Sequence, residues 1–334
     1  MMNNLNPASR FAVIGYGSWA TTIVGKLSRN GHLVRWFISN EDVREGVLTE
    51  GFNPKYVSDM EIDRNMVKVS EDIDEVVSDS DIVILGIPSA YLQSVLDMLT
   101  VSLEDKFVVS AVKGIIPGAN KTVLEYVHGH FGISFKSLGL ISGPSHAEEV
   151  SRGRLSFLTV ACVSEENAAL IASALGSESL RVSISDDIYG IEYASILKNI
   201  YAIAAGLAFG LGYGDNFLAV LISRCAAEMK KFLDSSYPFE RDIDQSAYLG
   251  DLLVTCYSPF SRNRQLGALI GRGCSVDMAL SEMTMVAEGY YAAKGIHELD
   301  GRYGIEMPIA ETVYKVLYGN ARARKAMASL AKRL

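Results

Sequence analysis

A chain of 334 residues is longer than one hydrophobic core usually organises, so two domains are expected. Its 49% hydrophobic and 21% charged residues suit a core-forming globular protein. With 39 acidic against 31 basic residues and a formal charge of −8, the composition argues against a nucleic-acid partner; an anionic metabolite would need a local basic site.

The four cysteines, Cys162, Cys225, Cys256 and Cys274, form no CxxC pair and no Cys/His cluster at zinc spacing. No metal site is expected, and free thiols fit a reducing compartment. The first residues show no basic segment followed by an apolar one, so no secretory signal is expected and the location reads as cytoplasmic. The most apolar run, residues 200–214, is shorter than the roughly 20 residues that span a bilayer. It reads as a buried helix, without stable membrane insertion.

In chain order, the segments 11–15, 32–38, 67–70, 81–87, 106–112 and 137–143 are short apolar runs rich in β-branched residues. Near-continuous rather than alternating patterns predict strands covered on both faces. Helical patterns lie between several of them, which predicts an α/β, doubly wound parallel sheet of Rossmann type. Segments 155–162 and 180–185 extend it. Beyond Ser185 the strand signals stop. Helical spacing then covers 188–211, 216–233, 242–256, 263–270, 275–294 and 308–333, predicting an all-α second part. The expected domains are therefore 1–187 and 188–334.

The stretch "VIGYGSWA" follows a strand and opens a helix. Gly15 permits the tight turn, Gly17 lets a pyrophosphate approach the backbone, and Ala20 keeps helix and strand close. The helix N-terminus offers N–H groups and partial positive charge to the phosphates. A plain βα turn is the alternative; strand, spacing and following strand together favour dinucleotide binding. At the end of the second strand, where an acid would hold the NAD ribose, stand Ser39 and Asn40, with Arg35 and Arg44 close in sequence. NADP is therefore admissible beside NAD. Glu41 and Asp42 read as charging the next helix.

Lys113 follows a strand on the edge where such sheets bind ligands, or is a solvated loop lysine. Gly143 and Ser145 follow the next strand, with Ser145 open to an N-capping role. Lys198 and Asn199 interrupt an apolar helix, and burying an unpaired ammonium costs several kcal/mol. A desolvated lysine has a lowered pKa, which suits proton transfer; snorkelling at the helix edge is the plainer reading. Asp251, also among apolar residues, could pair with that lysine or merely cap a helix. Ser261-Arg262-Asn263 reads as a helix start that grips an anion, or as a capped solvated loop. Glu288 lies in another apolar helix. The basic C-terminal stretch reads as a solvated last helix rather than a membrane-surface one.

Together, "IGYGSWA", "GIPS", "AVKGI", "GPSHAEEV", "LKNIYAIAAG", "GDLLVTCYSPFSRNRQLG" and "MVAEG" resemble the bacterial type of NAD(P)-dependent glycerol-3-phosphate dehydrogenase, over nearly the whole chain and in the same order. The resemblance implies a Rossmann-type domain followed by a helical one and a cytoplasmic homodimer. It also implies hydride transfer between NAD or NADP and dihydroxyacetone phosphate or sn-glycerol 3-phosphate, supplying phospholipid synthesis. It assigns proton transfer to Lys198, assisted by Asp251. Substrate contacts fall on Lys113, Gly143, Ser145, Lys198, Asp251, Ser261, Arg262 and Asn263. Cofactor contacts fall on Gly15, Gly17, Ser18, Trp19, Ser39, Lys113, Ala147, Arg262, Val286 and Glu288. Ala20 replaces the family's usual glycine, and Ser39 stands where many relatives carry arginine.

Overall fold

The structure is a computed structural model that describes residues 5–334, apart from the side chains of residues 300–303. The first elements are β1 (Phe11–Ile14), α1 (Ser18–Arg29), β2 (Val34–Phe37), α2 (Glu41–Glu50), β3 (Val67–Ser70), α3 (Ile73–Ser78), β4 (Ile82–Leu85), α4 (Ser89–Leu96) and β5 (Phe107–Ser110). Next come β6 (Ile115–Ile116), β7 (Lys121–Thr122), α5 (Val123–Phe131), β8 (Leu138–Ser142), α6 (Ala147–Ser151), β9 (Ser156–Cys162), α7 (Glu165–Leu175) and β10 (Leu180–Ser185). Helices follow: α8 (Ile188–Gly210), α9 (Asp215–Ser236), a π-helical turn at 246–250, α10 (Asp251–Tyr257), α11 (Arg262–Gly271), α12 (Val276–Glu282), α13 (Glu288–Tyr303), α14 (Pro308–Leu317) and α15 (Ala323–Ala331).

The chain forms two compact units, one of residues 1–112 and 123–188, the other of 113–122 and 189–334. In the first, eight strands run in the order β10-β9-β8-β5-β4-β1-β2-β3. The central β1, β4, β5 and β8 are buried along their whole length, as near-continuous apolar strands require. All neighbours are parallel except β8 and β9, an antiparallel pair in a sheet expected to be parallel throughout. The connection at 143–155 holds only the five-residue α6, too short to carry the chain back along the sheet, so β9 returns in the opposite direction. Strand order reverses between β4 and β1, and the crevice past their carboxyl ends is where such sheets bind ligands.

The second unit holds the antiparallel pair β6–β7 and the helices from α8 onward. Residues 113–122 lie in the first domain on sequence grounds but group with this unit, where Gly295 of α13 leaves room for the Ile115 side chain. Two expected helices are broken. The stretch 275–294 opens between α12 and α13 at 283–287, and 308–333 opens at Tyr318–Arg322, where Asn320 takes a φ of +54°. Glu288 is accordingly the first residue of α13 rather than a mid-helix residue. Among the described residues, no helix is long and apolar enough to cross a membrane.

Candidate active site

In the first unit, Gly15 adopts a φ of +117°, and a Cβ there would meet the Gly86 carbonyl oxygen at 2.7 Å. A Cβ on Gly86 would in turn meet the Ala20 Cβ at 2.9 Å, so β1, β4 and α1 close up only with these small residues. Gly17 is different: its Cβ would meet nothing within 4 Å. Gly17 is the N-cap of α1, makes no side-chain cap bond, and no acid follows in the first turn. An uncapped helix start beneath an open glycine fits a pyrophosphate. Ser18 is buried at that start, and Trp19 packs against the first unit's core with its buried indole N–H lacking a hydrogen-bond partner.

Residues overlooked on sequence grounds hold this turn in shape. The fully buried Trp36 of β2 donates its indole N–H to the Gly15 carbonyl at 2.7 Å. Asn53 donates to the Tyr16 carbonyl and the Thr21 hydroxyl, both at 2.8 Å. A tryptophan in a strand and an asparagine in a loop carry no local signal of this task.

On the same unit, Gly143 follows β8 at a φ of +122°, and the Ser145 hydroxyl donates to its carbonyl at 3.1 Å. The helix-capping alternative for Ser145 fails, because His146 is the N-cap of α6 and Ala147 its first residue. Ser39 is exposed beyond β2, and Asn40 caps α2 through its side chain, with Glu41 and Asp42 in the first turn.

In the second unit, three charges meet. Lys198 of α8 donates to Asp251 Oδ1, and Lys113 Nζ lies 3.3 Å from Asp251 Oδ2. The side chains of Lys198 and Asp251 are 6% and 2% exposed, which excludes snorkelling for the lysine and a solvated cap for the aspartate. Burial pulls the Lys198 ammonium down to about 7, with Lys113 acting in the same direction and Asp251 opposing. Burial pushes the Asp251 carboxyl up, but the two ammonium groups outweigh it and hold it below the ordinary value. With one carboxylate between two lysines, the cluster leaves a positive charge over when both lysines are protonated, so it suits an oxygen that becomes negative.

A chain of buried amides ties neighbouring segments to this cluster. Asn199 donates to the Lys113 carbonyl at 2.7 Å, Asn263 donates to the Asn199 side-chain oxygen at 2.9 Å, and the Gly289 N–H donates to the Asn263 oxygen at 2.8 Å. Asn263, a predicted substrate residue, thus also positions α8 and α13. Ser261 caps α11 by accepting from the Arg264 N–H. Arg262 donates to the Phe260 carbonyl and to the Met285 sulfur at 3.0 and 3.2 Å. Val286 lies beside that methionine in the break before α13, and Glu288 opens α13.

The backbones of α8 and α11 pack together through glycine. A Cβ on Gly206 would fall 2.1 Å from the Arg264 carbonyl oxygen, one on Gly210 2.3 Å from that of Ala268, and one on Gly267 2.2 Å from that of Ile203. The contact fixes the Ser261–Asn263 segment relative to Lys198. The sequence shows the glycines four residues apart but not that each pair faces the other.

Residues 10–168 match the family model described as NAD-dependent glycerol-3-phosphate dehydrogenase N-terminus, and residues 187–328 match its C-terminus counterpart. The chain is 33% identical over 323 residues to glycerol-3-phosphate dehydrogenase [NAD(P)+] of Prosthecochloris aestuarii, covering 96% of this chain and 97% of the relative. It is 35% identical over 326 residues to the Chlorobium phaeobacteroides enzyme of the same name, covering 97% and 98%. The crystal structure of glycerol-3-phosphate dehydrogenase from Coxiella burnetii superposes with a TM-score of 0.89 at 26% identity, covering 98% of this chain and all of that one. With its dinucleotide turn on one unit and its buried lysine–aspartate cluster on the other, this chain belongs to the NAD-dependent glycerol-3-phosphate dehydrogenase family.

Proposed function

We propose that this chain interconverts dihydroxyacetone phosphate and sn-glycerol 3-phosphate with NAD or NADP. The observation that carries this reading is the buried Lys198–Asp251–Lys113 cluster, with Lys198 brought down to about 7. In the first unit, Gly15, Gly17, Ser18, Trp19, Ser39 and Ala147 hold the dinucleotide. When bound, the nicotinamide supplies or accepts the hydride exchanged at C2 of the substrate.

Lys198 donates its proton to the substrate oxygen as that oxygen becomes an alkoxide, and withdraws it in the reverse direction. Asp251 aims the lysine, and Lys113 adds positive charge at the same oxygen. Arg262, with the capped start of α11, grips the phosphate, leaving the thioether of Met285 for a stronger acceptor. Gly143 and Ser145 bound the substrate. Binding energy gathered at the phosphate positions C2 for the chemistry.

In the cell, glycerol 3-phosphate made in this way feeds phospholipid synthesis in the cytoplasm, and the working form is a homodimer. The test is the absorbance of NADH or NADPH on adding dihydroxyacetone phosphate. Phosphate-dependent oxidation of the reduced cofactor is expected. Cofactor binding without oxidation would instead mark a nicotinamide-binding sensor, and turnover with a hydroxyacid in place of the phosphate ester would move the substrate class.

A further inference from the structure

The break between α12 and α13 carries two methionines, Met283 and Met285, on either side of the exposed Thr284. Met285 is half-buried, and its sulfur accepts from Arg262 Nη2 at 3.0 Å and from Nε at 3.2 Å. These two nitrogens form one edge of the guanidinium fork, the edge that matches two oxygens of a phosphate. Arg262 Nη1 donates to the Phe260 carbonyl. The head of Arg262 thus rests on backbone at one side and on a thioether at the other.

A thioether is a weak acceptor, so a phosphate displaces it from the fork at little cost. That balance depends on the oxidation state of the sulfur. A hydroperoxide oxidises methionine in one two-electron step. The sulfur lone pair takes one peroxide oxygen, the O–O bond breaks, and the other oxygen leaves as water once it has collected the proton of the first. The sulfoxide oxygen is a strong acceptor placed on the atom that Arg262 already faces. Met60, Met229, Met307 and Met327 are no more than 2% exposed, whereas Met285 sits in a partly open segment that solution oxidants reach.

We infer that Met285 is a reversible oxidation site that controls the phosphate grip. Its sulfoxide holds the Arg262 fork through charge-assisted hydrogen bonds and weakens binding of the phosphorylated substrate. A thiol-dependent methionine sulfoxide reductase returns the thioether, oxidising two thiols to a disulfide and releasing water. The inference rests on the reading of Arg262 as the residue that grips the phosphate.

The test treats the full chain with hydrogen peroxide and follows Met285 by peptide mass spectrometry. sn-Glycerol 3-phosphate is then titrated by calorimetry, and KM and kcat are measured with dihydroxyacetone phosphate. Kd and KM are expected to rise about tenfold as Met285 is oxidised, with kcat at saturation within about twofold. Reductases for both sulfoxide epimers, supplied with dithiol, should reverse the change. Met285→Leu should keep its own Kd and KM through the same treatment. Met278→Leu, which removes a methionine that is 54% exposed, should respond as the unaltered chain does. Affinity that stays constant after Met285 is oxidised would overturn the inference, as would a Met285→Leu chain that loses affinity to the same extent. Weakened glycerol 3-phosphate binding in a chain without dihydroxyacetone phosphate turnover sinks the activity alone. Turnover with an affinity indifferent to Met285 oxidation sinks the switch alone.

Discussion

Lys198 and Arg262 illustrate two different uses of positive charge. Lys198 is desolvated and brought down to about 7, so near neutrality it both gives and takes a proton. In the proposed mechanism, reduction of dihydroxyacetone phosphate uses the protonated amine, and oxidation of glycerol 3-phosphate uses the neutral one. kcat/KM for reduction should therefore fall as pH rises through about 7, and kcat/KM for oxidation should rise through the same range. Profiles that are flat, or that slope the same way in both directions, would remove Lys198 as the proton carrier. Arg262 is the proposed phosphate grip. A hydrogen bond to a charged group contributes about 1.5–3 kcal/mol, so Arg262→Ala should raise KM for dihydroxyacetone phosphate about tenfold or more. An unchanged KM, measured in the same assay, would place the phosphate elsewhere.

At the scale of elements, the α8–α11 contact positions the proposed anion grip at Ser261–Asn263. The Gly267 Cβ position lies 2.2 Å from one backbone oxygen and 2.9 Å from the Leu207 backbone nitrogen, so any side chain there must push the helices apart. Overpacking of this kind costs about 1–3 kcal/mol. Gly267→Ala should lower Tm by several degrees and raise KM, while Gly214→Ala, whose Cβ meets nothing within 4 Å, should shift Tm little. Equal melting of the two variants would contradict backbone-to-backbone packing.

This is also the scale at which the sequence becomes hard to read. The central strands β1, β4, β5 and β8 were legible because strands buried on both faces write near-continuous apolar runs. The break at 283–287 was not, because apolar spacing continues across it while the chain turns to bring Met285 against Arg262. The antiparallel return of β9 was hidden for a similar reason: strand residues look the same in either direction, and only the length of the connection decides.

For the molecule as a whole, the proposed site residues divide between the units. Gly15, Gly17, Ser18, Trp19, Ser39, Gly143, Ser145 and Ala147 stand on the first, and Lys113, Lys198, Asp251, Ser261, Arg262, Asn263, Val286 and Glu288 on the second. What the sequence showed of them is placement: a lysine buried in an apolar helix, Lys198, and a glycine where a helix begins, Gly17. The residues that hold the glycine turn were not legible, since Trp36 and Asn53 act through contacts far apart in sequence.

The claim on which the rest depends is that the buried Lys198 amine carries the proton of the reaction. Its most direct test is the steady-state turnover of Lys198→Ala with dihydroxyacetone phosphate, in parallel with cofactor titration of the same variant. A proton donor typically contributes about 10²–10⁴-fold, so kcat should fall by at least about a hundredfold while NAD(P)H still binds. Turnover close to that of the unaltered chain would contradict the assignment outright.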